Sequence, residues 1–140
     1  MLYCEEIVVA TNGRGFYEIS TELQSIVGDS AVGSGLCNTF ITHTSASLLI
    51  TENADPAVLT DLETFMTRAV VDGDPIFVHD AEGPDDMAAH IRSVLTQTSL
   101  SVPIRNSRLA LGTWQGVFVW EHRAQAHRRR VLVTVLGDRT

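Results

Sequence analysis

Six side chains able to ligate a metal ion or move a proton are dispersed along this chain: His43, Glu52, His79, His90, Glu121 and His122. Imidazoles titrate near neutrality and, when neutral, ligate transition metals, while carboxylates add charge and basicity. Histidines and carboxylates contributed by separate elements suit an open, catalytic type of zinc site, or one for a similar divalent ion. The densest polar stretch is His43-Thr44-Ser45-Ala46-Ser47, which joins two apolar runs and is followed by Glu52-Asn53-Ala54-Asp55-Pro56. A second stretch, His79 to His90, sets Asp86 one helical turn before His90, so that carboxylate and ring share a helix face. A carboxylate in that position can fix the tautomer of a ligating histidine.

The elements that must position these groups are legible from apolar periodicity. Glu5 to Thr11 reads as a strand, and Asn12-Gly13 predicts a hairpin that pairs Phe16 to Ile19 back against it. Thr21 with Gln24 fits a capping box for a short helix carrying Leu23, Ile26 and Val27, with Gly28 as its stop. A Gly-rich link to Gly35 then leads into a strand over Leu36 to Thr42, and Leu48 to Thr51 forms the next. Asp55-Pro56 is a strong helix start, and Val58, Leu62, Phe65, Met66 and Ala69 give an amphipathic helix of about four turns. A further helix begins near Gly83-Pro84-Asp85, with Met87, Ile91 and Val94 or Leu95 as its buried stripe.

The remainder reads as β-structure: Ser99 to Ile104, Arg108 to Leu111, Trp114 to His122, and Arg130 to Leu136. In the third of these runs Gln115, Val117, Val119 and Glu121 share one face. An ionised Glu121 among valines requires a partner, either a bound cation or an arginine such as Arg108 or Arg130 on a neighbouring strand.

Composition narrows the chemistry further. The chain has 140 residues, 44% hydrophobic and 19% charged, which is enough for one folded domain spanning residues 1–140. All ten basic residues are arginine, which excludes Schiff-base lysines and the lysine of a phosphate loop. A net charge of −7 disfavours nucleic acid as a partner. Arg123, Arg128, Arg129 and Arg130 read as a solvated turn between strands or as an anion-binding rim. Cys4 and Cys37 have no paired spacing, so neither a disulfide framework nor a thiolate zinc site is indicated. No apolar run spans a bilayer and the acidic N-terminus has no cleavage pattern, so a cytoplasmic protein without membrane contact is expected. GxSxG, HExxH, GxGxxG and phosphate-loop motifs are missing.

Four blocks together carry a resemblance: HTSASLLITENADP, EGPDDMAAHIRS, LALGTWQGVFVWEHR and the terminal RRVLVTV. In content and order they resemble the YjbQ-type family of secondary thiamine-phosphate synthases, over nearly the whole chain. The resemblance implies an α+β fold, a mainly antiparallel β-sandwich of jelly-roll type with two to three short helices. It also implies a homotrimer with sites near subunit interfaces. Metal binding by histidines is implied too, mapping onto His43 and His90 with His79 as the third ligand, zinc being the expected ion and His122 ranking below these three. The implied reaction couples a hydroxymethylpyrimidine diphosphate to a thiazole phosphate. In that reading Glu52 or Glu121 is the acid/base, and Thr44, Ser45, Gln115 and Arg123 hold the small phosphate-bearing substrate. The competing reading is a non-catalytic trimer that binds a metal or a small anion.

Overall fold

The alternating apolar runs are satisfied by two antiparallel sheets packed face to face in a computed structural model that describes Met1–Thr140. In chain order the elements are β1 (Leu2–Ala10), β2 (Gly15–Glu18), α1 (Ser20–Ser30), β3 (Val32–Ile41), β4 (Ala46–Glu52) and α2 (Pro56–Ala69). They continue with α3 (Asp86–Leu95), β5 (Ser99–Arg105), β6 (Arg108–Leu109), β7 (Gln115–Glu121) and β8 (Arg128–Arg139). The larger sheet runs β1-β8-β3-β5-β6 and the smaller β2-β7-β4. This is the expected α+β class, a mainly antiparallel sandwich with three helices. No helix is long and apolar enough to cross a membrane.

The core between the sheets takes every second residue of the facing strands, among them Val131, Val133 and Val135 from one sheet and Val117, Val119 and Leu48 from the other. Leu23, Ile26 and Val27 of α1 join the same cluster. The outer face of the smaller sheet is covered as well. Trp120 packs there with Met66 and Val70 at the end of α2 and Ala88 of α3, so β7 is buried on both sides.

Several local expectations give way to tertiary structure. The Asn12-Gly13 hairpin does not form: β1 pairs with β8 and β2 with β7, so the segment between them is a corner that crosses from sheet to sheet. Gly13 sits at φ +92 with its would-be Cβ against the Ala124 carbonyl. The Tyr17 hydroxyl accepts the Asn12 N–H at 2.7 Å and donates to the Gly13 carbonyl at 2.8 Å, which pins the corner. Helix α1 passes through Gly28 and stops at Ala31, whose φ is 58. Gln24 makes no capping box; its amide bridges Ser107 and Leu109 instead. Strand β3 begins at Val32, because Gly35 and Gly137 lie opposite one another where the backbones approach too closely for a Cβ.

Helix α2 starts as expected, with the Asp55 carboxylate accepting the Ala57 N–H at 2.9 Å, but Phe65 is 70% exposed and outside the core. The largest departure concerns α3. Its buried residues are Asp86, Ala88, Ala89 and Arg92, while Val94 and Leu95 are exposed. Two charged residues therefore face inward beside Ala88 and Ala89, with Ile91 packed at their margin, and the carboxylate of Asp86 is brought against His79 and His90.

Candidate functional site

The chain changes sheets three times at one end of the sandwich, and a buried ion pair holds that end together. Glu121, the last residue of β7, is fully buried, and Arg129 of β8 is 4% exposed. The guanidinium grips the carboxylate with two donors, Nε to Oε1 at 2.8 Å and Nη2 to Oε2. Thr11, in the corner after β1, donates to Oε1 at 2.6 Å, and the Arg123 N–H reaches Oε2 at 3.1 Å. Arg129 Nη2 also donates to the carbonyl and hydroxyl oxygens of Ser45, the residue before β4. Burial alone would raise the Glu121 pKa, but the Arg129 guanidinium, the Thr11 hydroxyl and the Arg123 N–H outweigh it and hold the carboxyl below its ordinary value.

One residue further on, Arg123 points away from this pair toward the segment between α2 and α3. Its Nε donates to Asp85 at 2.9 Å, Nη1 to Asp86 Oδ1 at 2.8 Å, and Nη2 to the Glu82 carbonyl at 3.0 Å. The other oxygen of Asp86, Oδ2, lies 2.8 Å from His79 Nε2 and 3.3 Å from His90 Nε2. The two imidazoles meet edge to face, with centroids 5.3 Å apart. His79, Asp86 and His90 thus converge, with one ligand atom from each lying within 4.8 Å of the others.

These donors fit a zinc-type ion. Ligands bound at about 2.0–2.1 Å on a tetrahedron sit roughly 3.3–3.4 Å apart. The His90–Asp86 separation of 3.3 Å already matches. The His79 ring has to withdraw by only about half an ångström, and its side chain is 47% exposed on a connecting segment. Asp86 itself is 3% exposed in its side chain, held from behind by Arg123.

Comparison with known proteins bears on what such a site belongs to. A family model described as UPF0047 protein YjbQ-like matches residues 5–138. The chain belongs to this family. A UPF0047 protein of Synechocystis is 52% identical over 134 residues, covering 96% of this chain and 91% of its own length. The YjbQ protein of Escherichia coli O157:H7 is 39% identical over 139 residues, covering 99% of this chain and all of its own. Among solved structures, a YjbQ/UPF0047 protein of Clostridium acetobutylicum superposes with a TM-score of 0.86 at 32% identity, covering 94% of this chain and 99% of its own. A YjbQ-like protein of Sulfolobus solfataricus reaches a TM-score of 0.90 at 22% identity, covering 99% of each chain, which supports the fold alone.

In this YjbQ-like chain the residues singled out from sequence fall into separate places. His79 and His90 come together as expected; Asp86, read from sequence only as a tautomer partner, joins them as a donor in its own right. His43 does not reach this group. Its Nε2 accepts the Arg130 N–H at 2.8 Å, so the neutral ring carries its proton on Nδ1. Burial, then the charge of Arg129, pushes its pKa below the ordinary value. The Ser45 hydroxyl belongs to the buried ion pair, whereas Thr44 is exposed beside it. Glu121 pairs with Arg129 rather than with Arg108 or Arg130.

Glu52 and Gln115 sit opposite one another at the far end of the smaller sheet, while Ala46 sits opposite Glu121 at the near end. Six residues of strand, about 20 Å, separate the two ends. Within one chain, Glu52 and Gln115 therefore stand apart from the His79–Asp86–His90 group. Their side chains serve local turns, Glu52 accepting the Asp55 N–H and Gln115 the Gly112 N–H. The sequence signal that would have found Arg129 is the alternation of Val131, Val133 and Val135. Extended back by one step, it turns Arg129 inward and leaves Arg128 and Arg130 outside.

His122 is fully buried, its Nε2 lying 2.8 Å from the Ser47 hydroxyl. Burial first, then the charges of Arg92, Arg14 and Arg129, push its pKa from 6.5 to about 3. The unfolded chain therefore binds a proton that the folded chain refuses, and stability declines as pH falls from 6.5 toward about 3. We expect His122→Gln to flatten the pH dependence of urea midpoints across that window, relative to the parent chain. An unchanged slope would show that His122 is not the group responsible.

Proposed function

We propose that the chain is a metal-dependent enzyme acting on a small phosphate-bearing molecule, with a divalent ion held by His79, Asp86 and His90. The observation that carries this reading is the convergence of those three donors within 4.8 Å of one another, in a family member whose own residues supply all of them. Two imidazoles and one carboxylate favour zinc or a similar transition ion over magnesium or calcium, which prefer oxygen ligands. When bound, such an ion polarises a phosphoryl oxygen or lowers the pKa of a bound water. The finer proposal is the reaction of the secondary thiamine-phosphate synthases: coupling of a hydroxymethylpyrimidine diphosphate to a thiazole phosphate, with release of pyrophosphate.

The protein's own groups prepare the site in defined ways. Asp86 offers Oδ2 alone, because Oδ1 is taken by Arg123. His79 and His90 remain partly open to solvent, which leaves room for a substrate on that side. Residues 72–86 carry six carboxylates and no arginine, so the segment's own charge favours a cation. A second reading, a metal- or anion-binding trimer without catalysis, draws on one observation. Glu121 and Arg123, the carboxylate and the cation best placed by sequence for proton transfer and anion contact, are both occupied by protein partners.

Metal analysis of the purified protein addresses the ligands. His90→Ala and Asp86→Asn should lose bound zinc, and His43→Ala should keep it; a full zinc complement in both of the first two variants would sink the proposed site. Pyrophosphate release that a chelator abolishes and zinc restores would then favour the enzyme over the binding protein.

Assembly is part of the same proposal. The outer face of the larger sheet exposes an apolar band, with Leu2 opposite Leu136, Leu136 opposite Leu36, and Leu132 opposite Phe40. Contiguous apolar patches of this kind mark association surfaces. Light scattering should return three times the 15.3 kDa chain mass, and a monomer at micromolar concentration would overturn this part of the proposal.

A further inference from the structure

We propose that Arg123 is a positioning residue that builds the ion site, and not a contact for the substrate's phosphate. This rests on the reading of His79, Asp86 and His90 as ligands. Each guanidinium nitrogen of Arg123 already has a partner within 3.0 Å, and its side chain is only 15% exposed. Both ends of the grip belong to the same short segment: Asp85 and Glu82 on one side of the guanidinium, Asp86 on the other. The Ala124 N–H adds a second donor to Asp85, at 2.9 Å. Arg123 is itself anchored, since its backbone N–H is bound to the buried Glu121.

Two consequences follow for a bound ion. First, Nη1 occupies Oδ1 of Asp86, so the carboxylate can rotate neither away from the histidines nor into a two-oxygen mode. Partners that orient ligands from behind in this way are worth roughly 10–100-fold in metal affinity. Second, Arg123 holds the C-terminal end of the segment that carries His79. The other end is held separately, by Arg14, which takes both oxygens of Asp72 at 2.6 and 2.7 Å. Between these two clamps His79 is brought against Asp86. An arginine released from the first clamp to meet a phosphate would leave Asp85 and Asp86 without their counter-charge, in a segment with no arginine of its own.

The test uses the full-length chain with zinc and inorganic phosphate as probes. Zinc affinity is measured by competition with a chromogenic chelator in the parent, Arg123→Gln, Arg123→Lys, Arg14→Gln and His90→Ala proteins. Cobalt substitution reports ligand geometry by its visible spectrum. Phosphate affinity is then measured at saturating zinc. We expect Arg123→Gln to weaken zinc binding by about 10–100-fold. It should alter the cobalt spectrum and leave phosphate affinity within about twofold once zinc is saturating. Arg123→Lys, which keeps the charge but can serve only one carboxylate well, should fall between it and the parent; it also carries the test if the Gln variant does not fold. Arg14→Gln, which frees the opposite clamp, should weaken zinc less than Arg123→Gln and leave the cobalt spectrum of the loaded protein unchanged. Zinc affinity preserved in Arg123→Gln, or phosphate affinity lost at saturating zinc, would overturn the assignment. Zinc affinity preserved in His90→Ala would instead remove the ion site, and this inference with it.

Discussion

The bidentate pair between Glu121 and Arg129 is the interaction on which the rest of the structure depends. It joins the two sheets at the end where the chain crosses between them, through Thr11 after β1, Ser45 before β4 and the 122–127 connection. A carboxylate left alone in that interior would be strongly disfavoured, as would a lone guanidinium. Together, with Thr11, Ser45 and the Arg123 N–H completing the shell, they are fully matched. Such a pair adds little or nothing to stability against a well-packed apolar alternative, yet breaking it by removing one partner costs about 3–5 kcal/mol. Its main effect is therefore specification: only one arrangement of the crossings satisfies both charges.

The convergence of His79, Asp86 and His90 is a consequence of that arrangement. Because Glu121 holds the Arg123 backbone, the Arg123 side chain emerges in a fixed direction, toward α3 and the segment before it. The inward face of α3 brings Asp86 to meet it, and His90, one turn on, follows. The last apolar residues of that helix are turned outward, Val94 83% and Leu95 62% exposed, while Ala88 and Ala89 stay inside. Burying Asp86 and Arg92 is unfavourable on transfer grounds alone, and it is tolerated because each has a charged partner, Arg123 for one and Glu63 for the other.

How much of this was legible in the sequence follows from which forces are local. Strands and helices with strong periodicity were readable, as was the Asp55-Pro56 helix start, since propensity and capping act within a few residues. The Asp86–His90 pairing was readable for the same reason. The Asn12-Gly13 hairpin does not form because the turn signal is local, while β1 pairs with a strand more than a hundred positions away. The buried face of α3 is legible only in part: Ile91 packs inward as the periodicity predicts, whereas the paired charges of Asp86 and Arg92 face inward and Val94 and Leu95 turn out. Neither Arg123 on Asp86 nor the convergence of His79 on the same carboxylate can be derived from spacing, since each depends on how one loop packs on a distant strand end. The separation of Glu52 and Gln115 from His90 follows from the β4–β7 register, which is set by pairing across the sheet and not by sequence spacing.

One ion at one position is expected, and an anomalous difference map from a crystal grown with zinc examines that placement directly. The predicted result is a principal peak bounded by Nε2 of His79, Nε2 of His90 and Oδ2 of Asp86, with Arg123 still donating to Oδ1 of Asp86. A principal peak on His43 instead, or one beside His90 with Arg123 released from Asp86, would contradict it.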